Sequence, residues 1–305
     1  MLNYYENYHE ELFASHKPYW HLCTNGKEAP IIFSSDEEYA LGLNILAAAA
    51  CLVPEVTILT FVLMSNHIHL ILFGPREKCI ELFNLFKAKL SRNMRDKALN
   101  WNTFQASIKP IDDLDYLKTS IIYVNRNAYL ADLNYNPFSY PWGAGREMFN
   151  FKSNITTTKF DDLTLSKKRE YLHTRDFCEN MCKLRFNGNL VEIDSFCRTD
   201  IAQSYFNNSR NYTIFLFKKV EMLTRIALEF KDEVVVTDNE LSRIAFITAK
   251  EKYQIDKLYL LTAEQKIEVA IELKKKYNAT KSQLRRLLNL TREMLEKIFP
   301  DFAEK

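Results

Sequence analysis

The chain has 305 residues, 47% hydrophobic and 13% aromatic, enough for the packed core of one large domain or two ordinary ones, which excludes global disorder. Six glycines and eight prolines favour long regular elements over a loop-rich or all-β fold. With 41 basic against 39 acidic residues the net charge is only +2, so a uniformly basic nucleic-acid coat is excluded and any DNA contact must come from local clusters.

The segment from Met1 to Glu11 is polar and acidic and lacks the apolar run of a signal peptide. The longest apolar run, Leu41 to Val53, contains Gly42 and Asn44 and is too short to span a bilayer. The expectation is a soluble, cytoplasmic protein with no membrane partner. Cysteines stand at 23, 51, 79, 178, 182 and 197 with no C-x-x-C pair. Cys178 and Cys182, with His173 and Cys197 in the neighbourhood, match no common zinc module, so free reduced thiols are expected.

In chain order, Tyr19 to Thr24 predicts a strand closed by an Asn25-Gly26 turn, followed by a short apolar piece, Ile31 to Phe33. Ser34-Ser35-Asp36-Glu37-Glu38 predicts a capped helix start with acidic residues at the positive helix end, running to about Leu52 before Pro54. Val56 to Met64 and Ile68 to Phe73 predict a β-hairpin around Ser65-Asn66, closed by Gly74-Pro75. Apolar residues at 82, 83, 86, 90 and 94 predict a helix over Cys79 to Leu99. Its other face carries Lys87, Lys89, Arg92, Arg95 and Lys97. Phe104 to Ile108 predicts a strand, and Asp112 to about Leu130 a helix. The order β-α-β-β-α-β then helix is that of a ferredoxin-like antiparallel sheet with helices on one side, an α+β class. The character changes near 150. Residues 1–150 are expected to form one domain, and 151–305 a mostly helical one without an obvious second sheet. Phe206 to Tyr212 reads as a surface loop.

The most informative stretch is Val62 to Leu72, with His67 and His69 inside it. On a strand the side-chain period is two, so both imidazoles share a face and make two-thirds of a divalent-metal site. Ile68, Leu70 and Leu72 point the other way, into the core. A bare H-x-H also arises by chance and in unrelated zinc enzymes, so it does not choose a reaction. On the later helix Tyr123 and Asn127 are four residues apart and share a face. If that face lies over the hairpin, the Asn127 amide oxygen completes the metal shell and Tyr123 stands beside the ion. A hard divalent ion stabilises charge at a scissile phosphate, and a tyrosine oxygen can attack phosphorus to form a phosphotyrosine. The bland alternative for Tyr123 is a core aromatic on an amphipathic helix.

The motifs occur in the order Trp20-His21, Ser35-Asp36-Glu37-Glu38-Tyr39, Val62 to Leu70, the basic run Lys87 to Arg95, Tyr123 to Asn127, and Tyr140-Pro141-Trp142. Residues 19 to about 145 thereby resemble the HUH single-tyrosine transposases, of the REP-associated tyrosine transposase and insertion-sequence-200 type. The resemblance implies that His67 and His69 bind the metal, that Asn127 is the polar third ligand and that Tyr123 is the nucleophile. It implies Mg2+ or Mn2+ as the ion and single-stranded DNA, often with a hairpin, as the substrate. Cleavage would leave a 5′-phosphotyrosine and a free 3′-hydroxyl, an endonuclease and strand-transfer step of DNA transposition. Two departures stand out: Ser65 replaces the family's Pro before Asn66, and Ala128 replaces the Pro after Asn127, so the helix is free to run on.

Candidate phosphate contacts in the first domain are Lys87, Lys89, Arg92 and Arg95 on the basic helix, and Arg126 beside the site. Near the C-terminus, Thr262-Ala263-Glu264-Gln265 caps a helix to Tyr277. A short helix, a turn at Asn289-Leu290-Thr291 and a capped second helix follow, as in a helix-turn-helix within 262–299. It resembles the tails appended to some of these transposases, with Lys281, Arg285, Arg286 and Arg292 as DNA-contacting candidates; an ordinary helical bundle is the alternative. The expected protein is a monomer or homodimer that cleaves DNA. Two other readings stand: a relative that binds DNA hairpins as a regulator without transposing anything, and a metal-dependent hydrolase of small molecules using the H-x-H pair, which would leave the tyrosine helix and the tail unexplained.

Overall fold

The computed structural model describes residues 2–25, 30–97, 99–131, 135–150, 156–218, 220–230, 236 and 238–299; Gly26 of the expected Asn25-Gly26 turn lies outside them. A helix the sequence reading did not anticipate, α1 (Leu2–His16), precedes β1 (Tyr19–Thr24). Next comes α2 (Asp36–Leu52), capped as expected by the Ser35 side chain on the Glu38 amide. β2 (Thr57–Leu63) and β3 (Ile68–Phe73) follow, then α3 (Arg76–Asn93), β4 (Ala106–Ile111), α4 (Leu114–Arg126) and the short α5 (Ala128–Ala131). The four strands form one antiparallel sheet in the order β2-β3-β1-β4. Pro110 is tolerated because β4 is an edge strand, where a missing N–H breaks no central ladder.

Strand register sorts the two faces. Leu22, Leu70, Phe61 and Leu63 share one face, and all are fully buried. α2 covers it: Gly42 lies so close to Phe33 and Leu63 that a Cβ would meet the Phe33 ring at 2.6 Å. α3 packs alongside α2. The opposite face carries His21, His69, Thr60 and Val62, and α4 lies over it, its Asn125 side chain accepting from Thr60 Oγ1 at 2.6 Å. Helices thus flank both faces, because the helix after β4 crosses under the sheet instead of joining α2 and α3.

Residues beyond 150 do not begin a separate helical unit. They form β5 (Thr158–Lys159), α6 (Leu165–Leu172), β6 (Arg185–Asn187) and β7 (Leu190–Val191), followed by α7 (Thr199–Ser204) and α8 (Ser209–Lys218). β5, β6 and β7 make a small antiparallel sheet, which the sequence reading did not foresee, since its strands are two or three residues long. This layer packs on the outer side of α2: Ala47, Ala48 and Cys51 share a core with Phe160, Leu172, Met181, Phe186 and Val191. Asn44 of α2 ties to it by two bonds, accepting from Val191 N and donating to Asn189 O. A helix apolar around its whole circumference is one buried on all sides, and the alanine run of α2 is that case. Phe206 and Tyr212, expected on a surface loop, are buried.

The chain accordingly divides not near 150 but within α8, into one unit of residues 1–216 with 230–232 and a second of 217–229 and 233–305. The second unit holds α9 (Val220–Phe230, its last residue counted with the first unit), α10 (Asp238–Tyr253), α11 (Ala263–Tyr277), α12 (Lys281–Leu288) and α13 (Arg292–Ile298). Thr262 and Thr280 each form a capping box with the glutamine three residues on, and Thr291 caps α13. Leu241, Ile244 and Ala245 of α10 share one core with Val269, Leu273, Leu284, Leu288 and Leu295, so the predicted tail is the outer part of a larger helical bundle. Among the described residues no helix is long and apolar enough to cross a membrane.

Candidate metal and nucleophile site

His69 lies on β3, opposite Cys23 of β1 and Val62 of β2, and is fully buried. His67 stands one residue before the strand, in the turn, not on it as expected, and its carbonyl accepts from Met64 N. The two rings are nevertheless neighbours, with centroids 5.2 Å apart and planes perpendicular. α4 brings Tyr123 over His69 and His21, its ring centroid 5.5 Å from the first and 5.9 Å from the second. Asp113 caps that helix by accepting from the Tyr116 amide.

Each histidine has a partner on Nδ1. His67 Nδ1 meets Asn66 Oδ1 at 2.8 Å, and His69 Nδ1 meets His21 Nε2 at 3.1 Å. The Nε2 atoms of both are buried. His21 was visible in the sequence only as part of an aromatic-His pair on the first strand. Its place beside His69 depends on the pairing of β1 with β3, which no local pattern encodes.

Asn127 stands one turn beyond Tyr123 and is buried. Its Nδ2 donates to Tyr123 O at 3.0 Å, and its Oδ1 has no hydrogen-bond partner among the described residues. The helix does run on past it, with α5 starting at Ala128 after a single-residue break. Asn125, two residues earlier, is fully used: it accepts from Thr60 and donates to Tyr212 at 2.8 Å. Leaving a buried amide oxygen unpaired costs roughly 1–3 kcal/mol, so Asn127 Oδ1, at the C-cap of α4, is an acceptor that an ion could satisfy. Among the described residues no group of three or more His, Cys, Asp or Glu is gathered for a metal, so a site here rests on two imidazoles and an amide.

The candidate phosphate contacts fare unevenly. Lys89 is buried and donates to Thr174 Oγ1 and Asp176 Oδ2, tying α3 to the segment after α6. Lys87 is half-buried, and desolvation lowers its ammonium below the usual lysine range. Only Arg92 and Arg95 are exposed, and α3 lies on the α2 side of the sheet, across from the histidines. Arg126 is buried, donates to the Leu216 carbonyl and stacks over Tyr129. Lys109 on β4 was not singled out by the sequence reading. It shares a row and a face with His21, and its ammonium lies 4.5 Å from the centre of the Phe230 ring, which in turn sits 4.2 Å from His21. Tyr140 and Trp142 shield the β2 end: Tyr140 OH donates to Leu63 O, Leu63 N to Trp142 O, and the Trp142 ring stacks on Tyr39.

In the second unit Lys281, Ser282, Arg285, Arg292 and Leu295 line one surface pocket between α12 and α13. Arg286 faces elsewhere, paired with Asp238 at 2.7 Å, and Arg292 also reaches Glu296. Compared with family models, with curated proteins and with solved structures, the chain matches none.

Proposed function

We propose that the protein is a metal-dependent, single-tyrosine DNA strand-cleaving enzyme of the HUH transposase kind. The observation that carries this reading is the contact of His69 on the buried α4 face with His67 from the turn before β3 and with Tyr123 from α4, together with the unsatisfied Oδ1 of Asn127, which caps that helix. The strand order, which read from the other edge is β4-β1-β3-β2 with α2 and α3 as crossovers, supports the ferredoxin-like assignment. His67, His69 and Asn127 would hold Mg2+ or Mn2+, which when bound supplies Lewis-acid stabilisation of phosphate charge. Tyr123 Oη gives up its proton as it forms a bond to phosphorus, the bond from phosphorus to the 3′-oxygen breaks, and that oxygen takes up a proton and leaves as the 3′-hydroxyl. Arg285, Lys281 and Arg292, gathered on one pocket, suit backbone contact to DNA by the helix-turn-helix.

The test is incubation of the full chain with labelled single-stranded hairpin DNA and Mn2+, resolved on a denaturing gel. Wild type should give a labelled protein band that Tyr123→Phe abolishes; a band that survives the substitution moves the nucleophile elsewhere. A second reading, a hairpin-binding regulator without strand cleavage, is favoured by the burial of Tyr123 and the Phe230 ring against His21. Retained binding with no band across a range of hairpins would select it.

A further inference from the structure

Both candidate histidine ligands are engaged on Nδ1 and have Nε2 buried, but by different means. Asn66 Oδ1 can only accept, so His67 Nδ1 must carry the hydrogen and, in the neutral ring, Nε2 carries the lone pair. That is the tautomer that coordination through Nε2 requires. For His69 the partner is another imidazole, His21, and the 3.1 Å contact admits two neutral arrangements. In one, His21 Nε2–H donates to His69 Nδ1, which puts a hydrogen on His69 Nε2 and blocks it as a ligand. In the other, His69 Nδ1–H donates to His21 Nε2, and His69 Nε2 is left to coordinate.

We infer that His21 is a positioning residue which accepts from His69 Nδ1 and so holds His69 as an Nε2 ligand, the role Asn66 plays for His67. The inference rests on the metal-site reading above and adds a residue on a different strand to it. The direction of the bond follows from the metal-site reading, and three observations hold the pair in place for it. His21 is fully buried, so water does not compete for its Nε2. Cross-strand register fixes the approach, since His69 pairs with Cys23 and His21 with Ile71, which makes the two imidazoles diagonal neighbours on one face. Finally, the His21 ring is held by aromatic neighbours on two sides, Phe230 at 4.2 Å and Tyr123 at 5.9 Å, which restrict its rotation. Partners behind a metal-bound histidine typically matter by 10- to 100-fold in metal affinity.

The experiment has two arms, neither of which reads activity. In the first, long-range proton–nitrogen NMR on the metal-free wild type reports the tautomers; His69 should carry its hydrogen on Nδ1 and His21 on its own Nδ1. A hydrogen on His69 Nε2 would overturn the inference without any substitution. In the second, titration calorimetry measures Mn2+ binding to the full chain. His67→Ala should remove binding, His21→Leu should weaken it about 10- to 100-fold, and His21→Gln, whose amide oxygen reaches near the same point, should stay within about threefold of wild type. Equal affinity of wild type and His21→Leu, or equal losses in the Leu and Gln variants, would overturn the role of His21 while leaving the metal site standing. Wild type that binds no Mn2+ would instead remove the metal site and this inference together.

Discussion

The two faces of the four-stranded sheet are built on opposite rules. The face under α2 presents Leu22, Leu70, Phe61 and Leu63, and its packing is apolar but for Thr24, whose Oγ1 accepts from Ile68 N. The face under α4 buries His21, His69 and Thr60 as deeply among Cys23, Val62 and Ile71, and adds the Thr60–Asn125–Tyr212 chain and the His69–His21 pair. Burying polar groups contributes little net stability even when every atom is paired, whereas the same area of apolar surface stabilises strongly. A sheet with one face of each kind therefore derives its stability mostly from the apolar side.

That contrast can be broken by experiment. Leu70→Ala, a truncation in the α2 face, should cost about 2–5 kcal/mol in denaturant unfolding with little change in m-value. Thr60→Val, on the α4 face, leaves the Asn125 acceptor without its donor and should cost about 1–3 kcal/mol. If the valine variant proved the more destabilised of the two, the division of labour between the faces would be wrong.

The outer side of the α2 layer gives a subtler test. Lys89→Met removes the bonds to Thr174 and Asp176 and should lower stability by about 1–2 kcal/mol without altering the salt dependence of the proposed DNA binding. Arg92→Gln with Arg95→Gln should do the reverse, leaving the melting temperature alone. A salt slope changed by Lys89→Met would return that lysine to the binding surface.

The smallest effect concerns acid. Burial pushes the Glu38 carboxyl up, but bonds from Lys97 and Ser34 outweigh it and hold the group below its usual 4.5. A carboxyl with a depressed folded-state value contributes stability that is full above about pH 4.5 and is lost as the pH falls through that lower value. Unfolding measured from pH 6 to pH 3 should show a loss of about 0.5–1 kcal/mol from this site. Lys97→Met should flatten it, and an unchanged pH profile in that variant would show that the pair contributes nothing.

Much of this architecture was legible locally. Tyr19–Thr24 is the strand its composition predicted, Ser35 caps α2, and Thr262 caps a helix that ends at Tyr277. These signals are readable because strand propensity and capping act within a few residues of chain. The division near 150 was misplaced for the complementary reason: β5, β6 and β7 are too short to show a period, and they exist because the Asn44 side chain and the alanine run of α2 give them a surface to pack on.

The same holds within the site. The H-x-H spacing and the Tyr123–Asn127 spacing lie in the sequence itself, because both follow from the repeat of a strand or a helix. That Lys89 and Arg126 would be buried and His21 would stand behind His69 depended on contacts between residues 85, 90 and 48 positions apart. The sequence alone determined which elements form and which side chains share a face, since those properties are set by local geometry. Tertiary packing decided which of those faces are dry, which cations stay exposed and which imidazole nitrogen is held, because each is fixed by groups that meet only when distant strands and helices close on one another.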